Sequence, residues 1–302
     1  MQVAAPTVEQ LRSKLPEITD AVLLQQGGFK AVYRATIGGR VEALKLVHIP
    51  KTSNDEAGEL FRKECLGRVI REIHVLADCA SPLLVKLGGI TASEIDFVGE
   101  SFIVYSEEFL DGSDLRVLIQ QQWKPQEAEL KLLFVCLIKA IQQLWTLPAR
   151  VIHRDIKPHN VVRLGKPERP FVLLDLGIAF AVLETSLTVN PSHRDPPGTF
   201  VYLAPEMLQP NFRDTIDYRS DLYAAALTIY ECAAGHHPFA RRPEARGTTL
   251  SRVLFESPPQ LSTVRADLSK PFCQLVDSML KKIPALRPAN LTLLIRQLEI
   301  TE

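Results

Sequence analysis

The stretch His153-Arg154-Asp155-Ile156-Lys157-Pro158-His159-Asn160 has the residue types and spacing to do chemistry, and Asp175-Leu176-Gly177 begins fifteen residues after its end. Moving a phosphoryl group asks little covalent work of a protein; positioning and charge neutralisation carry most of the catalysis. That requires a carboxylate to hold the acceptor hydroxyl, a cation near the moving phosphate, and two oxygen ligands for magnesium. Asp155, Lys157, Asn160 and Asp175 supply these in that order. A lone His-Arg-Asp triplet would say little, since a solvated charged loop has the same composition. The whole octet with a second aspartate downstream is specific.

The elements that must position these residues fall into two textures. Between residues 18 and 107, short β runs are punctuated by glycine, at 21–24, 31–37, 42–48, 85–91 and 102–106. One helix interrupts them at 59–77, where Leu60, Leu66, Val69, Ile70, Ile73 and Leu76 recur at helical spacing. From residue 114 onward helices dominate, at 114–121, 125–147, 219–235, 270–281 and 289–298. The expected fold class is therefore α+β. An extension at 1–17 precedes a β-rich part at 18–107, a hinge at 108–113 around Asp111-Gly112, and a helical part at 114–302.

Composition bounds the partners. A chain of 302 residues with 46% apolar content can bury one large core or two lobes. The 35 basic and 35 acidic residues cancel, so bulk charge suggests neither a nucleic-acid nor a membrane partner. Five scattered cysteines form neither a disulfide framework nor a metal-ligand spacing, which suits free thiols in a reducing compartment, the cytoplasm. The N-terminus, with Glu9, Glu17 and Asp20, does not read as a secretory signal. Nothing in the composition fixes an oligomeric state.

With those residues in hand, the chain resembles the catalytic domain of eukaryotic-type (Hanks-type) serine/threonine protein kinases. The lysine two places after the catalytic aspartate belongs to the serine/threonine branch. The resemblance runs over nearly the whole chain and implies a bilobal fold, ATP and Mg²⁺ as cofactors, and a protein substrate. It assigns Asp155 to the acceptor hydroxyl, Lys157 to the transferring phosphoryl, and Asn160 and Asp175 to the metal. Thr199, in Gly198-Thr199, matches the threonine that bonds the catalytic aspartate and lysine. Lys45, in Ala43-Leu44-Lys45, matches the strand lysine on the α/β-phosphates, with Glu72 as its helix partner. Ala43, Val32, Glu108 and Val162 fall at positions that contact the nucleotide base. Asp221 resembles the buried aspartate that holds the catalytic loop, and Arg287 the arginine that pairs with Glu206 of Ala204-Pro205-Glu206.

The phosphate-covering loop departs from the family. Where G-x-G-x-x-G-x-V is usual, this chain has Gln25-Gln26-Gly27-Gly28-Phe29-Lys30-Ala31-Val32, so Gln25 and Lys30 stand in the first and third glycine places. Counting back from Asp111-Gly112 puts either Glu107 or Ser106 at the position that guards the space behind the base; a carboxylate there would need a partner such as Lys45. These departures keep a second reading open, a pseudokinase that acts as scaffold or allosteric regulator. A third, a small-molecule kinase, is opposed by the 198–206 segment and Arg287. Asp114 and Glu231 match acids that read arginines ahead of the acceptor in basophilic members, with solvated helix-end acids as the plain alternative. Arg154 precedes the catalytic aspartate and calls for an anion on the activation segment. Asp195 could supply it permanently; alternatively Thr185, Ser186, Thr188 or Ser192 is a phosphosite.

Overall fold

The computed structural model describes residues 5–27, 30–49, 56–79, 81–176, 200–209, 212, 216–241 and 244–300, which fall into two compact units. Described residues within 1–80, 85–110 and 175–196 form the first, and those within 81–84, 111–174 and 197–302 the second. The first is β-rich and the second mainly helical, the α+β arrangement of a bilobal kinase fold.

The first unit is built on an antiparallel sheet of β1 (Ile18–Gln26), β2 (Lys30–Ile37), β3 (Arg40–Ile49), β4 (Ser93–Phe97) and β5 (Glu100–Glu108), in the order β1-β2-β3-β5-β4. Gly38 and Gly39, both at positive φ, make the two-residue turn that keeps β2 and β3 in register from Ile37 opposite Arg40. Alternation then sorts the side chains. Ala31, Tyr33, Ala35, Ile37, Leu44, Leu46, Phe102 and Val104 enter one core, which Leu11 and Leu15 of the capped helix α1 (Val8–Lys14) and its C-cap complete. Lys30, Val32, Ala43, Lys45, Tyr105 and Glu107 lie on the opposite face, as the pairings Val32–Lys45, Ala43–Glu107 and Lys45–Tyr105 require. On that face Val47, Ile49, Ile103 and Tyr105 pack with Ile73 of α2 (Glu56–Asp78).

The strand expected at 85–91 is not formed. Leu87 makes an isolated bridge to Glu107, and the Gly88-Gly89 pair then passes close under β5. Glu42 Oε2 accepts from Gly89 N (2.8 Å) and from Ser106 Oγ (2.6 Å), and Ser106 Oγ accepts from Ile90 N (2.8 Å). A Cβ on Gly88 would stand 2.3 Å from Glu42 Oε2, and backbone bonds from Gly88 N to Ser106 O (2.7 Å), Ser106 N to Ile90 O (3.0 Å) and Glu108 N to Lys86 O (2.9 Å) tie the segment to β5 alongside these side-chain bonds. The fourth strand is instead 93–97, joined to β5 through Val98 and Gly99 at positive φ.

In the second unit, α5 (Tyr218–Ala234) is buried on nearly every side, as a helix apolar all round must be. Against it pack α3 (Leu115–Gln120), α4 (Glu127–Thr146), α7 (Leu261–Val264) and α8 (Lys270–Met279), while α6 (Arg246–Phe255) lies against the turn Phe200–Tyr202 and α9 (Leu291–Glu299) against α4. Gly235 ends α5 in the left-handed conformation at φ 78°. A small sheet of β6 (Ser113–Asp114), β7 (Val161–Lys166) and β8 (Arg169–Leu173) flanks the 153–160 loop. Gly112, expected as a hinge, is a packing position: an added Cβ would meet Arg163 O at 2.5 Å and Val162 Cγ1 at 2.8 Å. Because the nearer atom is backbone, Gly112→Ala is expected to cost about 1–3 kcal/mol by overpacking. Denaturant unfolding checks this; an unchanged midpoint would show that the backbone gives way freely. No helix among the described residues is long and apolar enough to cross a membrane.

Candidate active site

In the second unit the 153–160 loop is held from below by a buried carboxylate. Asp221, on the first turn of α5, accepts from His153 N (2.7 Å) and Arg154 N (2.9 Å). Arg154 sits at φ 66°, a conformation costly for a residue with a Cβ, and the Asp221 bond secures it there. Burial raises the Asp221 pKa to about 6, against the two backbone donors that favour its charge. The turn Pro158–Asn160 then brings Asn160 back over Asp155. Asn160 Nδ2 donates to Asp155 O and Oδ2, both at 2.8 Å, and Lys157 Nζ lies 2.8 Å from each Asp155 carboxylate oxygen. The Asp155 carboxylate is thus fixed between a cation and an amide. Asn160, its N–H groups spent on Asp155, has its side-chain oxygen left as a ligand atom.

In the first unit the polar face of the sheet carries a charge cluster. Lys45 Nζ pairs with Glu107 Oε2 and, at 2.6 Å, with Asp175 Oδ1. Lys30 Nζ lies 2.6 Å from the same Asp175 oxygen. Glu107 lies diagonally across β3–β5 from Lys45, the separation that long side chains span. It is fully buried, and its Oε1 has no hydrogen-bond partner among the described residues. Burial works to lower the Lys45 pKa, but Asp175 and Glu107 outweigh it and hold the ammonium above its ordinary value. For Lys30 burial prevails, helped by the neighbouring Lys45 charge, over the pull of Asp175 and lowers it. Burial acts to raise Asp175, yet the two lysines hold its carboxyl well below the usual range. Glu107 is raised by burial despite Lys45.

Comparison with known sequences places the chain in a family. The family model described as "Protein kinase domain" matches residues 19–298. The chain belongs to the protein kinase domain family. Relatives of this kinase domain include the dual specificity mitogen-activated protein kinase kinase mek-1 of Caenorhabditis elegans, 30% identical over 246 residues, covering 80% of this chain and 62% of that protein. The serine/threonine-protein kinase PknH of Mycobacterium bovis is 28% identical over 270 residues, covering 89% of this chain and 41% of its own. Mitogen-activated protein kinase kinase 3 of Arabidopsis thaliana is 27% identical over 257 residues, with 82% and 43% covered. The kinase domain thus spans less than two thirds of the length of each.

The residues singled out from sequence fall as follows. Asp155, Lys157 and Asn160 meet in the second unit, while Lys45 and Asp175 meet in the first. Val32 and Ala43 share the face of Lys45; Gln25 pairs with Val32 across β1–β2. Gly27 donates to Lys30 O (2.7 Å), and a Cβ there would meet nothing closer than 3.7 Å, so its backbone does not demand glycine. Glu108 donates its N–H to Lys86 O, and Val162 is buried on β7. Glu72 lies on α2 with its side chain outside the described residues, as are Gly28, Ser192, Asp195 and Thr199 altogether. Arg154 Nε is buried without a partner among the described residues.

Two expectations need restating. Asp114 is the N-cap of α3, accepting from Val117 N (2.9 Å). Glu231 is buried and already held by Arg116 Nη1 at 2.9 Å and by the Tyr202 hydroxyl. Asp114 is thus a partly exposed helix-end acid, whereas Glu231 is not solvated and the guanidinium on it is the chain's own. Lys30 was missed as a site residue. Its signal was present: it stands two places before Val32, hence on the same face of β2.

Proposed function

We propose that this kinase domain transfers the γ-phosphoryl of ATP, with Mg²⁺, to serine or threonine hydroxyls of a protein substrate in the cytoplasm. The observation that carries the reading is the fixed Asp155–Lys157–Asn160 arrangement on a loop pinned by Asp221. Asp155 orients the acceptor hydroxyl and takes its proton as the bond to phosphorus forms. Lys157, 2.8 Å from that carboxylate, lies where it can shift toward the charge on the moving phosphoryl. Asn160 and Asp175 each carry an oxygen of the kind a hard divalent cation takes, and magnesium on such ligands would neutralise phosphate charge. Lys45 orients the α/β-phosphates, with Glu107 beside it on the sheet face and Glu72 of α2 as its helix partner. Val32, Ala43, Val162 and the Glu108 carbonyl serve the base.

Retention of Lys45, Asp155, Asn160 and Asp175 together opposes the pseudokinase reading, since a scaffold has no use for metal-binding side chains. An arginine preference is the weaker part of the proposal, because a substrate arginine must displace Arg116 from Glu231. Arg154, whose buried Nε finds no partner among the described residues, supports a role for an anion such as Asp195 or a phosphate on Ser192.

The test is transfer of labelled phosphate from ATP and Mg²⁺ to serine and threonine peptides, each made with arginine or alanine ahead of the acceptor. Phosphate on either hydroxyl is the expected result, with arginine changing kcat/KM by less than about threefold. A protein that binds ATP without metal and labels nothing is a pseudokinase.

A further inference from the structure

We propose that Lys30 is a second phosphate-binding cation, doing with its side chain what the third loop glycine otherwise does with its backbone. The inference rests on the nucleotide-binding reading above.

Position is the first argument. Lys30 opens β2 on the same face as Val32 and Lys45, and its carbonyl is fastened by Gly27 N at 2.7 Å. The side chain is only 25% exposed, and its ammonium lies 2.6 Å from Asp175 Oδ1. A lysine merely filling a loop position would keep its charged end in water.

Charge is the second. Two ammonium groups, Lys30 and Lys45, converge on one carboxylate oxygen. That arrangement stands while Asp175 is their shared counter-ion. Once Asp175 turns an oxygen to a divalent cation, it can no longer balance both. Lys45 keeps Glu107, which is buried beside it. Lys30 has no second hydrogen-bonded carboxylate: Asp175 is the one side-chain partner of its ammonium among the described residues, and Glu107 acts on it only from farther off. A half-buried ammonium in that position requires another anion, and the β- and γ-phosphates bring one with the metal. Lysine suits the task, being a compact charge with three donors on a flexible stem.

The third is the loop itself. A side chain at this position gives up the close backbone approach that glycine allows. Gly27 shows no backbone conformation that demands glycine. Cationic side-chain contact thus replaces amide contact.

Titration calorimetry of the full chain with MgATP, MgADP and adenosine tests this, alongside unfolding temperatures of each variant. Lys30→Met keeps most of the stem, removes the charge, and is expected to weaken MgATP at least tenfold while leaving adenosine within twofold. Lys30→Arg should recover most of the loss, and raising salt should weaken MgATP binding to wild type more than to Lys30→Met. MgATP affinity unchanged in Lys30→Met would overturn the proposal and leave Lys30 a structural partner of Asp175. An equal loss for adenosine would also overturn it, because the effect would then lie in the fold. Wild type that binds no nucleotide at all defeats the kinase reading together with this one.

Discussion

Asp155→Asn is expected to lower kcat by about a thousandfold or more while KM for ATP changes little, because proton transfer by a placed group contributes that much. The argument rests on what the substitution keeps. Asparagine is nearly isosteric, so the bond from Asn160 Nδ2 at 2.8 Å can still be accepted by the new amide oxygen. The backbone bonds that Asp221 gives the loop are untouched. What disappears is the negative charge: no base remains for the hydroxyl, and Lys157 loses the carboxylate it pairs with at 2.8 Å. Single-turnover phosphorylation with parallel ATP titration separates the steps. A variant retaining a tenth of the wild-type rate would remove Asp155 from the chemistry.

Arg287→Ala should be the most destabilising single change described, at about 3–5 kcal/mol, since it strands a largely buried partner charge. Arg287 is fully buried at its guanidinium and forks onto Glu206, Nη1 to Oε1 at 2.6 Å and Nη2 to Oε2 at 2.8 Å. It also donates to the carbonyls of Lys281, Arg219 and Lys282, and lies 4.8 Å from the Tyr223 ring centroid. Removing it leaves Glu206 with the Ser220 hydroxyl and deprives three carbonyls of their donor. For a domain of this size the melting temperature should fall by roughly 10 °C. Arg287→Lys should fall between, because a point charge cannot fill both arms of the fork. Calorimetry within 2 °C of wild type would show that the pair contributes nothing net.

Much of the site was legible because its parts are close in sequence. The octet from His153 to Asn160 is one loop, so residue types at fixed spacing already imply Asp155 beside Lys157 and Asn160. The Asp221 and Arg287 partnerships, inferred from family resemblance, are formed as expected. What stayed hidden depends on strand pairing. Glu107 could be suspected of needing Lys45, but choosing it over Ser106 requires knowing which face each side chain takes. Ser106 turns to Glu42, and Glu107 to Lys45. Likewise 85–91 is apolar enough to suggest a strand, and its backbone does bond to β5 at Lys86, Gly88 and Ile90, but as an isolated bridge rather than a continuous strand. The Ser93–Phe97 strand is half exposed and polar enough to be passed over. Arg116 reaching Glu231 joins residues far apart along the chain, and no local pattern announces such a pair.

Helix α1 has a further consequence for what counts as the domain. Similarity to the family begins at residue 19, but the core of the first unit begins earlier, at Leu11, which is fully buried. The Tyr33 hydroxyl donates to Pro6 O at 2.5 Å, and Ile18, Ala21 and Ala35 share a cluster with Leu11 and Leu15. A polypeptide trimmed to the border of resemblance would turn one side of its sheet into an uncovered adhesive surface, inviting self-association before any nucleotide could bind. The stretch that carries the shared ancestry is therefore shorter than the stretch that fills the core of the first unit.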